Sequence, residues 1–524
     1  MNITGRNSIG YSWTATGDTV LSAYNPVSRE ILPERFIAAT EAEMETALTR
    51  ATAAFTIYRH ISGADKATFL EAIAAEILAL GDVLLHRAVA ESGLPLARIT
   101  GERGRTMQQL QLFATLLREG SWVEAVIDTA IPDRQPLPRP DLRTMWQPLG
   151  PVLVFPASNF PLAFSTAGGD TAAALAAGNP VIVKAHESHP GTNELVAGAI
   201  SRAAATCGMP DGVFSSLNGY GHTLGQALVR HPAIKAIGFT GSQRAGKAIM
   251  ATAAARPIPI PVYAEMGSIN PVLLLPGKVA TSAAALAQQY AASITQGAGQ
   301  FCTNPGLLIA MAGPDTDHFA ELLALALQQV QPAPMLNKGV YEQYYAGLKS
   351  LQQQDGVRTL QAGVPAADAL AYPALLQVDS EVFTTHAHLQ EEVFGPSSLL
   401  VTCKDMVALQ QTIIQLQGQL TATVLGDRYD LQQYAVEIQL LQDKAGRILF
   451  NGVPTGVEVC EAMVHGGPFP ASSDARSTSV GTAAIRRFVR PVCLQDCPPA
   501  LLPDALKEDN PLHIWRKVNG QWTR

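Results

Sequence analysis

Between residues 150 and 265 the chain alternates short, wholly apolar runs with longer segments whose apolar residues return every three or four positions. That rhythm restricts the fold more than any other property of the sequence. Pro151-Val152-Leu153-Val154-Phe155, Val181-Ile182-Val183-Lys184, Val213 to Leu217, Ala236-Ile237-Gly238-Phe239 and Pro261-Val262-Tyr263-Ala264 are too short for helices. Apolar at successive positions, they read as strands buried on both faces. Ala163 to Ala177, Thr192 to Cys207, Leu224 to Val229 and Ala245 to Ala255 read as the helices between them. An α/β parallel sheet covered on both sides follows. Such sheets bind ligands beyond the carboxyl ends of their strands, where Lys184, Gly241 and Glu265 fall.

The flanking regions read differently. After a short β-rich opening, Glu41 to Ile57, Lys66 to Leu80 and a run to about Leu117 carry helical spacing. Pro132, Pro136, Pro138 and Pro140 interrupt residues 119–148, and Val123 to Ile131 is expected to form one strand of an extended assembly arm. A second α/β region runs from about 266 to 455, with a strand at Val272 to Leu275, a helix at Ser282 to Gln296 and an end near Ile448-Leu449-Phe450-Asn451. The tail after Gly466 is irregular and proline-rich. At 524 residues this is more than one hydrophobic core.

A net charge of −7 with interspersed signs argues against nucleic acid or an anionic membrane as partner. No apolar run approaches the roughly 20 residues needed to span a bilayer. The opening Met1-Asn2-Ile3-Thr4-Gly5-Arg6-Asn7 lacks an apolar leader core, so a cytoplasmic protein is expected. Six cysteines in so long a chain are no disulfide scaffold. Cys493 and Cys497 lack the neighbours that complete a zinc set, and no metal site is expected.

One cysteine stands out. Gln296-Gly297-Ala298-Gly299-Gln300-Phe301-Cys302-Thr303-Asn304 is a glycine-spaced turn after an Ala-rich helical stretch. A thiol held there can meet a carbonyl carbon with its own N–H aimed at the developing oxyanion. Glu265, in Tyr263-Ala264-Glu265-Met266-Gly267, supplies a base. Asn159, in Phe155-Pro156-Ala157-Ser158-Asn159-Phe160-Pro161-Leu162, supplies an amide donor. Nucleophile, base and donor are what acyl chemistry through a thioester requires.

Phe239-Thr240-Gly241-Ser242-Gln243-Arg244-Ala245-Gly246 follows a strand and opens a helix, a setting for a pyrophosphate as well as an ordinary tight turn. Lys184 can donate to ribose hydroxyls and Glu187 can accept from them. A carboxylate at 187 suits a 2′-hydroxyl and repels a 2′-phosphate, with His186 and His222 softening that preference. Glu391-Glu392-Val393-Phe394-Gly395-Pro396 is either a solvated turn or a rigid corner that sets one carboxylate and one ring against a ligand.

In this order and at these spacings, the segments at 159–162, 184, 239–242, 265–267, 299–302 and 391–396 resemble the aldehyde dehydrogenase family. The resemblance implies NAD(P)-dependent oxidation of an aldehyde to an acid. Cys302 is then the nucleophile and Glu265 the general base, and Asn159 forms the oxyanion hole with the Cys302 amide. Lys184 and Glu187 hold the adenosine ribose, and Gly241 and Ser242 lie by the phosphates. Glu392 binds the nicotinamide ribose, with Phe394 packed nearby. The cofactor is expected to be NAD or NADP, with a lean to NAD from Glu187. The implied architecture is a Rossmann-type cofactor domain (1–125 and 148–265), an α/β catalytic domain (266–460), and an oligomerisation arm with a tail (126–147 and 485–524). A homodimer or homotetramer is implied.

A narrower resemblance is carried by Gly101 to Thr106, Ala163 to Thr171, Lys184-Ala185-His186, His189 to Thr192, Gly466 to Ser472 and Arg490 to Asp496. These segments are similar to the branch that oxidises α-ketoglutarate semialdehyde (2,5-dioxovalerate) in sugar-acid, pentose or hydroxyproline catabolism, and to its fatty-aldehyde relatives. Two departures stand beside it: Ser268 occupies a position where many relatives carry a second glycine, and Pro156-Ala157-Ser158-Asn159 replaces a commoner Pro-Trp-Asn. A semialdehyde of that kind carries a carboxylate. Arg103 is the expected receptor, with Arg105 the other candidate, because guanidinium grips carboxylate with two hydrogen bonds. Either arginine would serve equally in an ion pair. Phe160 is expected along the same tunnel, though core packing explains it as well. The competing readings are a broad or fatty-aldehyde enzyme of the same branch and a catalytically retired binding protein.

Overall fold

The computed structural model describes residues 3–363 and 370–524; Met1 and Asn2, where the segment read for a leader begins, lie outside the described residues. The alternating region forms a seven-stranded sheet. Its order is Val262–Glu265, Ala236–Thr240, Val152–Phe155, Val181–Lys184, Phe214–Leu217, then the hairpin of Asn7–Ile9 and Ser12–Thr14. The first five are parallel, and Asn7–Ile9 joins antiparallel. Every residue of Val152–Phe155 and Val181–Lys184 is buried, as continuous apolar runs require. Strand Val152–Phe155 is flanked by the next strand in sequence on one side and by Ala236–Thr240 on the other. The order therefore reverses between those two, and a crevice opens beyond their carboxyl ends.

A second seven-stranded sheet has the order Arg358–Ala362, Ala374–Asp379, Ser397–Cys403, Leu307–Met311, Pro271–Leu274, Gln419–Leu425, Ala445–Phe450. It is parallel except at Arg358–Ala362. A five-stranded sheet joins the proline-rich excursion to the tail: Val489–Gln495, Leu142–Pro148, Val126–Asp128, Arg516–Val518, Gln521–Thr523. Among the described residues no helix is long and apolar enough to cross a membrane.

Several boundaries differ from the sequence reading. The helix expected from Ala163 begins at Gly169, because Glu102 accepts the Leu162 and Ala163 N–H groups at 2.8 and 3.0 Å and holds that stretch as a loop. Helix Gly169–Ala177 is buried on every side, which is why its side chains are small. The helical run to Leu117 is two helices, Gly81–Ser92 and Leu96–Glu119, parted at Gly93 (φ +66°) and Pro95. The helix read from Ser282 spans Pro276–Thr295, with a kink at Ser282 itself. Val123 to Ile131 yields only the strand Val126–Asp128, preceded by a 3-10 turn.

The two large sheets meet end on. Asn159, Gly241 and Glu265 lie at or beyond carboxyl ends of the first sheet. Cys302, Glu392 and Gln419 lie at or before amino ends of the second. All six line one cavity.

Candidate active site

Cys302 follows helix Pro276–Thr295 through a turn in which Gly297, Ala298 and Gly299 have φ of +56°, +56° and +67°. Glycine is needed at 299 for a second reason: a Cβ there would stand 2.3 Å from the Gly395 carbonyl. Ala298 accepts the left-handed conformation at roughly 1–2 kcal/mol. The turn thus packs on the Gly395-Pro396 corner and turns the Cys302 sulfur toward two cavities, about 640 and 280 Å³, that reach it from different sides.

Asn159 and Glu265 line the larger cavity with Cys302. Asn159 Nδ2 donates to the Gln300 carbonyl at 3.0 Å, which fixes the amide beside the cysteine loop and leaves its second N–H available. Glu265 closes strand Val262–Glu265 and is buried. The Ser479 hydroxyl donates to its Oε2. His465 Nε2 stands 3.0 Å from Glu265 Oε1 and 3.5 Å from Cys302 Sγ. Donor atoms of Glu265, Cys302 and His465 all lie within 4.8 Å of one another.

His465 was not among the residues singled out from the sequence, and no metal-ligating set was expected. The only signal was its place beside Gly466-Gly467, at the head of a tail read as irregular. That tail folds over the site. Met266 N–H donates to Ala471 O at 2.8 Å, Ala264 and Ser473 are bonded to each other, and Arg487 pairs with Asp170 at 2.7 Å.

Electrostatics separate the two reacting groups. Burial pushes the Glu265 carboxyl up, but His465, the Ser479 hydroxyl and Arg487 outweigh it and hold it below the usual 4.5, as a carboxylate. The Cys302 thiol is driven well above 9.0 by its surroundings, then by the charges of Glu265 and Glu392, while Arg105 and Arg447 pull it back. The sulfur is half-buried because the cavities reach it.

The larger cavity also takes in Gly241, Ser242, Glu392 and Phe394. The Ser242 side chain caps helix Gln243–Ala254 at Ala245 N–H, and Arg244 and Lys247 line the wall nearby. A helix N-terminus flanked by cations suits a pyrophosphate. Gly267 leaves room for Glu392, whose Oε2 would lie 2.4 Å from any Cβ there. Glu392 accepts weakly from the Ser268 N–H at 3.4 Å, and burial pushes its carboxyl up to about 7. Lys184 and Glu187 lie outside this lining. Lys184 Nζ bonds Glu187 Oε1 at 2.7 Å, and the Gly221 N–H donates to the same oxygen at 2.9 Å. Burial lowers the Lys184 ammonium, partly offset by Glu187. Burial raises Glu187, but Lys184 leads the influences that bring it below its ordinary value. The lining fits part of a dinucleotide, with a carboxylate at 392, anion donors at 242–244 and a volume of the size small cofactors occupy, while Glu187 stands beyond it.

The smaller cavity is walled by helix Leu96–Glu119 and by Phe160, Phe164 and Phe301. Arg98, Glu102 and Arg105 share its helix face, at i, i+4 and i+7. Arg103 does not: its Nη1 donates to the Gly81 carbonyl at 3.3 Å, tying two helices together. One helical residue is a 100° rotation, so 103 and 105 point to different surroundings. The Arg105 guanidinium sits 5.1 Å from the Phe164 ring, and its buried Nε and Nη2 have no hydrogen-bond partner among the described residues. Arg98 lies 4.6 Å from the Phe160 ring and 4.4 Å from that of Phe301, and its Nη2 donates to Asn159 O at 3.2 Å.

Fold and site together define a class: two α/β units that meet end on around a cavity of dinucleotide size lined by Cys302, Asn159 and Glu265. The model of the aldehyde dehydrogenase family matches residues 13–472, and the chain belongs to that family. It is similar to alpha-ketoglutaric semialdehyde dehydrogenase 2 of Azospirillum brasilense, 52% identical over 99% of this chain and 100% of that protein. It is 47% identical to alpha-ketoglutaric semialdehyde dehydrogenase of Acinetobacter baylyi, covering 99% of each. In fold it is similar to 1-pyrroline-5-carboxylate dehydrogenase from Thermus with bound NAD, at TM-score 0.78 and 22% identity, covering 94% of this chain and 92% of that one. The chain is an enzyme that uses NAD(P), not a retired binding protein.

Proposed function

We propose that this enzyme oxidises α-ketoglutarate semialdehyde to α-ketoglutarate. The observation that carries the reading is Arg105, a partly buried guanidinium that lines the same cavity as Cys302 and whose Nε and Nη2 are enclosed without a hydrogen-bond partner among the described residues. A cation enclosed in this way is stabilised by a substrate carboxylate. Arg98 adds a second positive charge, and the full-length likeness to two alpha-ketoglutaric semialdehyde dehydrogenases supports the same substrate. Three phenylalanines favour a second reading, a broad or fatty-aldehyde oxidase; the two arginines among them weigh against it.

In this reading the carboxylate docks at Arg105 and the aldehyde carbon meets Cys302. The thiol gives its proton to the nearby Glu265 carboxylate, which returns it to solvent, and the sulfur attacks, giving a tetrahedral adduct. Asn159 Nδ2 and the Cys302 N–H donate to its oxyanion; losing one such donor typically costs about 2.7–4 kcal/mol. The bound nicotinamide cofactor supplies the oxidation, as hydride acceptor. Glu265, already a carboxylate, draws a proton from the water that hydrolyses the thioester. Lys184, Glu187, Gly241, Ser242, Glu392 and Phe394 are proposed to hold the cofactor, with NAD favoured over NADP because Glu187 opposes a second phosphate. Limiting-rate comparison of the two cofactors tests that preference. The five-stranded sheet is proposed as the contact of a homodimer or homotetramer; Trp522 on its edge strand is 68% exposed.

The test of substrate is Arg105→Leu, assayed with α-ketoglutarate semialdehyde and with an uncharged aldehyde of similar length. Removing one partner of a buried charge pair costs about 2–5 kcal/mol, so kcat/KM for the semialdehyde is expected to fall at least about thirtyfold. The uncharged aldehyde should lose much less, only what the missing pull of Arg105 on the Cys302 thiol costs every substrate. Equal losses on both would reject Arg105 as the carboxylate receptor.

A further inference from the structure

We infer that Cys302, His465 and Glu265 form a reversible zinc site that switches the enzyme off. The donors are a thiol, an imidazole and a carboxylate, three chemically different ligands that zinc accepts together. Their spacing is that of a tetrahedral site. Zinc–sulfur, zinc–nitrogen and zinc–oxygen bonds of ordinary length give edges of about 3.5 Å between sulfur and nitrogen and about 3.4 Å between nitrogen and oxygen. The structure has 3.5 Å from Cys302 Sγ to His465 Nε2 and 3.0 Å from His465 Nε2 to Glu265 Oε1. The third edge lies within 4.8 Å. The two printed edges need a shift of a few tenths of an ångström, the third has to close to about 3.5 Å from at most 4.8 Å, and the cavities at Cys302 leave a fourth position open to water.

The surroundings favour binding that is real but exchangeable. Ser479 holds Glu265 Oε2, which leaves Oε1 toward His465 and the sulfur. His465 is 1% exposed, and its Nδ1 has no hydrogen-bond partner among the described residues. To ligate through Nε2, the ring carries its proton on Nδ1; this gives up the Nε2–H contact with Glu265 Oε1, which the metal replaces, and breaks no bond at Nδ1. The Nδ1–H so formed lacks the acceptor that strengthens resident metal sites, which keeps the metal releasable. The proton balance is simple. The sulfur–hydrogen bond breaks, the sulfur–zinc bond forms and one proton leaves to solvent; nothing is oxidised or reduced. Both the nucleophile and the base are then occupied.

The test is calorimetric titration of the chelator-stripped enzyme with zinc in two buffers of different ionisation enthalpy, with affinity checked against a chromophoric chelator. One zinc per chain is expected, with about one proton released, parallel loss of turnover and full recovery on adding EDTA. His465→Gln and Cys302→Ser, verified as folded by circular dichroism, should each weaken zinc at least about tenfold. Unchanged zinc affinity in either variant, or inhibition without stoichiometric binding, overturns the site.

Discussion

The Asn270 side-chain amide donates to the Cys302 carbonyl at 2.9 Å and to that of Asn304 at 2.8 Å. Cys302 is thereby pinned through its own backbone. Asn270 is fixed in turn by Ser268, whose hydroxyl lies 3.0 Å from Asn270 Oδ1 and 2.8 Å from Gln419 Oε1 and accepts from the Leu420 N–H at 3.0 Å. The Ser268 hydroxyl is the centre of this buried network.

Asn270→Ala leaves two carbonyls without that donor and is expected to destabilise the protein by about 1–3 kcal/mol. Because the lost bonds orient Cys302, the acylation rate should fall while cofactor affinity holds. Thermal denaturation and stopped-flow acylation together check this; a normal acylation rate in a destabilised protein would restrict Asn270 to a structural role.

The Cys302 thiol, held well above 9.0, is expected to alkylate slowly near neutrality. Thiolate is the reactive form, so the iodoacetamide rate at Cys302 should climb with pH through 9 without levelling off below it. Arg105→Leu removes a charge that pulls this pKa down and should move the rise to higher pH. A plateau near pH 7 would contradict the assigned environment.

In the proposed mechanism, Glu265→Gln keeps the nucleophile and the oxyanion donors but removes the proton acceptor. A burst of reduced cofactor, about one per active site, should precede steady-state turnover slowed by about 10²–10⁴-fold. Full steady-state turnover in the variant would remove Glu265 as the base.

Glu392 makes stability depend on pH in an unusual direction. Its folded pKa, about 7, lies above the ordinary 4.5, so between those values the native state holds a proton that the unfolded chain has released. Stability from this group therefore falls as pH rises from about 4.5 to 7, by at most about 3 kcal/mol, since the cavity admits water to the carboxyl. Glu392→Gln should flatten that decline in cofactor-free protein. Melting temperatures at pH 5 and pH 7.5 report it, and an unchanged difference between them would refute the assignment.

What the sequence by itself determined is local. Continuous apolar runs specified buried strands at 152–155 and 181–184, and the glycine-spaced turn marked Cys302, because periodicity and turn chemistry are properties of adjacent residues. Ser268 was visible as a departure but not as the centre of a network, since Gln419 reaches it only when the second sheet forms. Helical phase separated Arg103 from Arg105, which are two residues apart in sequence, and set only Arg105 on the smaller cavity. Tertiary structure alone carried His465 to Glu265 and Cys302 and folded the tail over the site. Contacts among segments so distant depend on how two sheets meet end on, and no local pattern of residues encodes that meeting.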